Sequence, residues 1–290
     1  MNIQHLITFS RVKQTGNITQ AAIELGITQP AVSKRLAALE LQLGNELFFR
    51  IGTGLVLTQA GEILSPVCEN ILKLIADTQH EIQSLGNSLS GKLVIACSHH
   101  IGLYRLPQLL AEYKNNFPAV DLQFHFTESE DAYHQVQSGV VDLALLTLPE
   151  KADNQVIQKL IWSDEMEIMI ANSHPILKSK HLSDLQKLLK IPAIFTDDTD
   201  FTRLMLEQKF SNYQLNKSNN FGANNLELIR MLVESEQGWG VLPTSMRNQK
   251  LRSIKLAELS FNRPLGYAHN KQRNLSKTAE EFIQLLLAEI

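Results

Sequence analysis

Four polar side chains at the start of one helical segment could do chemistry: Gln29, Ser33, Lys34 and Arg35, in the run TQAAIELGITQPAVSKRLAALELQLG (19–44). An amide, a hydroxyl, an ammonium and a guanidinium on one outer face, with Pro30 adding apolar surface, can read base edges or bind phosphate in a major groove. A second concentration is Cys97-Ser98-His99-His100. A thiol beside imidazoles suggests a metal site or a nucleophile. Adjacent histidines point in different directions, however, and no further Cys or His sits at ligand spacing nearby. Cys97 ends an apolar strand and reads as a buried, inert thiol, and His125 in VDLQFHF reads as a strand residue. The chain has neither a GxxxxGK[ST] phosphate loop nor a GxSxG elbow. No catalytic residue, metal or cofactor is therefore expected.

The elements that must position these residues follow from pattern. A short helix from about Thr19 to Leu25 stops at Gly26, and Thr28 caps a second helix with Pro30 in its first turn, where a missing N–H does no harm. Val32, Leu36, Leu39 and Leu43 form its apolar stripe and Gly44 ends it. Helix, glycine turn, helix is the helix-turn-helix arrangement. ELFFRIGTGLVLT (46–58) reads as a hairpin with Gly52 and Gly54 in the turn, a wing that offers Arg50 to a phosphate or the minor groove. Residues 58–86 then read as one helix of about 40 Å at about 1.5 Å per residue. Thr58 is its N-cap, Gly86 its stop, and Pro66 should bend it. Its narrow apolar stripe favours pairing with a second copy.

Beyond residue 90 the pattern alternates. Strands at 92–97, 120–126 and 142–148 flank a helix running from Leu103 to Tyr113 and another at about 129–138. This order implies a parallel sheet. IQKLIW and EMEIMIA read as two further strands, followed by IPAIF (191–195), helices at 201–210 and 224–235, GVLP (240–243) and a last helix at 275–289. The fold class is α/β, with the domains at 1–58, 59–89 and 90–290. The last divides into two lobes, about 90–162 with 267–290 and about 163–266, around a cleft.

Composition agrees with a globular chain. The 290 residues are 44% hydrophobic and 20% charged, no apolar run approaches the length of a membrane span, and the N-terminus lacks a secretion signal. Two cysteines make neither a disulfide framework nor a four-Cys zinc site. A cytoplasmic location without membrane contact is the expectation. The net charge of −3 is uneven: residues 1–60 carry +2 and the remainder −5.

The chain resembles the LysR-type transcriptional regulators. The likeness is carried by AAIELGITQPAVSKRLAALELQLGNELFFR, then LTQAGE, and more loosely by IGLYRLPQLL, FPAVDLQFHF, SGVVDLALLTLP and GWGVLP. It implies a winged helix-turn-helix that binds double-stranded promoter DNA, a linker helix that builds a homodimer or homotetramer, and contact with RNA polymerase. It also implies an effector domain like the periplasmic binding proteins. By position, Gln29, Pro30, Ser33, Lys34 and Arg35 match the recognition-helix contacts, and Arg50 and Thr58 match wing and linker-start positions near the phosphate backbone.

The same likeness places a small-molecule effector between the lobes. Ser98 and His99 precede a helix N-terminus, which favours an anion. Thr147 ends the third strand, Thr196 and Thr202 follow the IPAIF strand, and Asn224 lies at the opening of another helix. His99 departs from the family pattern, where a small hydroxyl residue or a hydrophobe is more usual. Two other readings stay open on the residues alone: an enzyme built on the Cys–His cluster, and a solute-binding protein using only the α/β portion.

Overall fold

The computed structural model describes every residue except 1, 53, 84–88, 181–182, 197–199, 217–222, 224, 257–260 and 289–290, together with the side chains of 77, 80, 81 and 83. The expected stop at Gly86 lies outside the described residues. The chain forms two compact units, residues 1–91 with 138–140 and residues 92–137 with 141–290.

The first unit is built from locally capped helices. Helix α1 (Ile3–Thr15) starts where the Asn2 side chain accepts from the Gln4 N–H. Helix α2 (Ile18–Leu25) starts where Asn17 accepts from Thr19 and Gln20, and Gly26 ends it at φ 65°. Helix α3 (Gln29–Leu43) has Thr28 at the N-cap position, though without the side-chain hydrogen bond a cap normally makes, and ends at Gly44 with φ 68°. These left-handed stops are the conformation glycine adopts at least cost. Phe9, Val12, Ala21, Val32 and Leu39 are fully buried where the three helices meet.

Strands β1 (Phe48–Ile51) and β2 (Gly54–Leu57) pair antiparallel. Gly54 stands opposite Ile51, so it opens β2 rather than sitting in the turn as expected. Helix α4 (Gln59–Gln83) packs Leu64 and Cys68 into the same core, so its first turns belong to this unit. Gly61 is what lets α4 approach the hairpin: a Cβ there would lie 2.3 Å from the Leu47 carbonyl oxygen.

The second unit centres on one eight-stranded sheet. Its strands are β3 (Gly91–Ser98), β4 (Val120–Thr127), β5 (Leu143–Thr147), β6 (Val156–Ala171), β7 (Ala193–Ile194), β8 (Trp239–Pro243), β9 (Leu251–Ile254) and β10 (Phe261–Asn270). They lie in the order β4-β3-β5-β10-β6-β8-β7, with β9 also on β6. The sheet is mixed, not parallel: β3–β5 and β7–β8 are parallel, but β10 runs antiparallel to both β5 and β6.

Two expectations change for identifiable reasons. IQKLIW and EMEIMIA are halves of the single 16-residue strand β6, continuous because its first part pairs with β10 and its end with β8 and β9. The stretch from Leu103 to Tyr113 is two helices, α5 (His99–Tyr104) and α6 (Pro107–Asn116). Pro107 has no N–H to give the preceding turn, and its ring crowds the carbonyl four residues back. Helices α7 (Ser129–Gln137), α8 (Asp184–Lys190), α9 (Phe201–Lys209), α10 (Leu226–Glu234) and α11 (Lys277–Ala288) complete the unit.

Each half of this sheet is covered on both faces. Ile168 and Ile170 of β6 join Leu188, Phe195 and Trp239 on one side, while Met169 joins Ile194, Ile229, Val233 and Leu242 on the other. That alternation explains the unbroken apolar run IMIA, since both faces need apolar side chains. Around β3 and β5, Val94, Ala96, Ala144 and Leu146 pack under Val136 of α7.

Candidate functional site

The N-terminal unit presents its polar groups outward because its apolar stripe points inward. Val32, Leu36 and Leu39 of α3 are buried, which turns Gln29, Pro30, Ser33 and Lys34 to solvent. Residues 29 and 33, and 30 and 34, are each one helical turn apart and share a face. Arg50 is exposed on β1.

Arg35 and Thr58 are placed differently. Arg35 is half-buried against α1, and its Nη1 lies 3.5 Å from the Thr8 hydroxyl. Thr58 is buried: its hydroxyl donates to the Glu46 carbonyl (2.6 Å) and accepts from the Gly61 N–H (3.0 Å). That geometry makes Thr58 the cap of α4, as expected. Its hydroxyl is thus engaged within the protein on both its donor and an acceptor side.

In the second unit, the helices α5, α7, α9 and α10 begin around a common cleft enclosing about 340 Å³, part of it open to solvent. Ser98, His99, Thr147, Thr196 and Thr202 all line it. Asn224 and the neighbouring Gly222 lie outside the described residues. Ser98 stands at the N-cap position of α5 with no side-chain capping bond. Thr147 donates its N–H to the Ser129 Oγ (3.0 Å). Thr196 is buried, and its hydroxyl has no hydrogen-bond partner among the described residues. His99 Nδ1 faces Glu128 Oε1 at 3.4 Å, outside hydrogen-bond geometry.

The sequence reading missed the charged part of this lining: Glu128, Asp200, Glu227 and Arg263; His100, named only within the Cys–His cluster, lines it too. The acidic run ESED (128–131) resembles any solvated helix start, and nothing local marks Arg263 as buried. Asp200 caps α9 by accepting from the Arg203 N–H (2.8 Å), and Glu130 accepts from the Phe201 N–H. Asn225 caps α10 by accepting from Leu228 (3.0 Å). The Glu227 carboxylate oxygens are buried without a partner among the described residues. Burial, then the neighbouring carboxylates Asp200, Glu130, Glu227 and Asp131, push Glu128 up to about 7. Burial and Asp200 push Glu130 up to about 7, against the opposing pull of its bond from Phe201.

Behind the cleft lies a buried charge cluster. Asp164 of β6 stands opposite Arg263 of β10 in the ladder and meets its guanidinium at 2.8 Å, with Arg105 at 2.6 Å and His100 Nε2 at 3.0 Å. Burial alone would raise Asp164, but His100 and the two guanidiniums outweigh it and hold the carboxyl well below its usual range. Burial dominates at His100 and lowers its pKa, so the ring is neutral near pH 7. Cys97 is fully buried and burial pushes its thiol up, which removes the thiolate a nucleophile needs. Among the described residues no group of three or more His, Cys, Asp or Glu could hold a metal ion, and no helix is long and apolar enough to cross a membrane.

Comparison with known proteins divides the chain as the geometry does. Residues 3–62 match the family model described as bacterial regulatory helix-turn-helix protein, lysR family, and residues 86–290 match the LysR substrate binding domain. A HTH-type transcriptional regulator of Bacillus subtilis, YybE, described as uncharacterized, is 27% identical over 290 residues, covering 99% of both chains. A probable RuBisCO transcriptional regulator of Chlorokybus atmophyticus is 27% identical over 299 residues, covering 99% of this chain and 94% of the relative. Among solved structures, full-length CbnR with its target DNA superposes with a TM-score of 0.68 at 16% identity, covering all of both chains. A full-length OxyR variant from Pseudomonas aeruginosa gives 0.71 at 20% identity, covering 99% of this chain and 94% of that one.

Proposed function

The chain belongs to the LysR family of transcriptional regulators, and from that premise we propose which of its residues read DNA and which sense a small molecule. Family members join a helix-turn-helix DNA-binding domain to an effector domain, bind promoter DNA and small-molecule effectors, and form oligomers. They are regulators, not enzymes.

In this reading Gln29, Pro30, Ser33 and Lys34 enter the major groove, Arg50 of the wing contacts the backbone, and Arg35 holds α3 against α1 while reaching the DNA edge. Thr58 fixes the start of α4, at the linker-start position near the phosphate backbone. The observation that carries the assignment is the outward face of α3 above buried Val32, Leu36 and Leu39. Ile63, Val67, Leu74 and Ile82 leave an exposed apolar stripe along α4, at the spacing a second copy of the helix would cover. A dimer so formed sets two recognition helices about one helical turn of DNA apart, and pairs of dimers make a tetramer. Ser98, His99, Thr147, Thr196 and Thr202 hold the effector, and its binding shifts the balance between arrangements that RNA polymerase reads at the promoter. Such a protein works in the cytoplasm, on chromosomal DNA.

The test is recovery of genomic fragments by the purified full chain at near-physiological salt, alongside Ser33→Ala and Lys34→Ala. Enrichment of a few promoter fragments with dyad sites, lost in the variants, is expected. Uniform recovery that disappears with added salt reports phosphate attraction alone and would sink the base-reading assignment.

A further inference from the structure

We propose that the effector of the C-terminal cleft is a small organic cation, an ammonium or guanidinium compound, held by Glu227 and Glu128 with the Thr196 hydroxyl beside them. This rests on the regulator reading above and names the chemistry of its ligand.

Helix N-termini ordinarily invite an anion, and several converge here. At α9 and α10 the protein's own groups already fill that role. Asp200 and Glu130 accept from the first N–H groups of α9, and Asn225 accepts at α10. Arg263 lines the cleft as well, but its charge is compensated by Asp164 at 2.8 Å, and His100 is held neutral by burial.

Among the described residues the cleft lining leaves both donors and acceptors unpartnered: His99 Nδ1, His100 Nδ1 and Arg263 Nε, and both buried Glu227 oxygens. The donor charge of Arg263 is met by Asp164, whereas Glu227 has no such partner among the described residues and Glu128 meets His99 at 3.4 Å and out of alignment. A carboxylate in that position asks for a donor that carries positive charge. The Thr196 hydroxyl is a second, independent observation: the residue is 6% exposed and its oxygen has no partner among the described residues. A metal ion fits poorly, since no described group of three or more ligating side chains converges.

The groups facing Glu128 are His99, Asp200, Glu130, Asp131 and Glu227, four of them acidic. A bound cation relieves that repulsion and drives Glu128 to ionise, so binding near pH 7 releases protons and tightens as pH rises from 6 to 8.

The experiment uses the full chain with 1,4-diaminobutane, agmatine and lysinamide as cations, succinate and glutarate as matched anions, and magnesium chloride alone, at constant ionic strength. Melting temperature is followed first, then calorimetry in two buffers of different ionisation enthalpy. Stabilisation by at least one cation, with proton release, is expected. Glu227→Gln should weaken binding by about 10- to 100-fold, the range for one charge-assisted hydrogen bond, and Thr196→Val by about threefold to tenfold. The unliganded Glu227→Gln protein should melt no lower than the parent, because an unpaired buried charge is removed. Stabilisation by the dicarboxylates or by magnesium alone, no response to any cation, or a cation response that Glu227→Gln leaves intact would each overturn the proposal. Genomic-fragment recovery on the same preparations separates this failure from failure of the regulator reading, which would lose promoter enrichment as well.

Discussion

The two units handle polar chemistry in opposite ways. In the N-terminal unit the side chains assigned to DNA stand in water, and the interior is apolar apart from hydroxyls such as Thr8 and Thr58 that bond to backbone carbonyls. In the C-terminal unit the functional groups are sunk into the structure: Asp164, Arg263, His100 and Arg203 are all buried, and carboxylates crowd the cleft. A surface that reads DNA can change a side chain with little effect on folding. A pocket that senses a small molecule draws its selectivity from groups whose removal also disturbs the fold.

The largest effect should come from breaking the buried cluster. Asp164→Asn leaves the Arg263 guanidinium buried beside a neutral amide, and such a loss costs about 3–5 kcal/mol. Both tryptophans, Trp162 and Trp239, lie in the C-terminal unit, so denaturation followed by tryptophan fluorescence isolates this effect. An unchanged midpoint would show that the pair contributes nothing to stability. Gly61→Ala tests the other unit. Its new Cβ meets the Leu47 carbonyl oxygen at 2.3 Å, so overpacking of about 1–3 kcal/mol should appear as lost DNA affinity and helicity while the tryptophan signal stays put.

Acidity distinguishes the units next. Glu128 and Glu130 hold their protons up to about pH 7 in the fold, against 4.5 for the ordinary group. Between those values the native state binds more protons than the unfolded chain, so their contribution is full below pH 4.5 and lost as pH rises through 7. Asp164 acts the other way: its contribution is present above its ordinary value of 3.8 and disappears as pH falls below it. The tryptophan-monitored midpoint should therefore be highest between about pH 4 and 5, and Glu128→Gln with Glu130→Gln should flatten its neutral-side decline. The smallest effect on folding belongs to Lys34→Ala, within about 0.5 kcal/mol. Its signature is weaker DNA binding and a salt slope reduced by about one.

What could be read beforehand follows the same division. The helices of the N-terminal unit are bounded by their own residues, Asn17 and Gly26 for α2 and Gly44 for α3, so local pattern was enough. Strand β10 escaped notice because PLGYAHN carries Pro264 and Gly266, which weaken a strand pattern; only pairing with β5 and β6, about a hundred residues away in sequence, makes it a strand. The hydroxyls of the cleft were legible from strand ends. Its carboxylates were not, because Glu128, Asp200 and Glu227 acquire meaning only when three separate helix starts meet.

The long strand β6 has one more consequence. Its first part shares hydrogen bonds with β10, which also pairs with β5, while its last residues pair with β8 and β9. The two halves of the sheet thus share one ladder and cannot unravel independently: melting either half strips partners from the other. The C-terminal unit should lose its structure in a single cooperative calorimetric transition, and a molecule seated in the cleft should raise the melting point of both halves together.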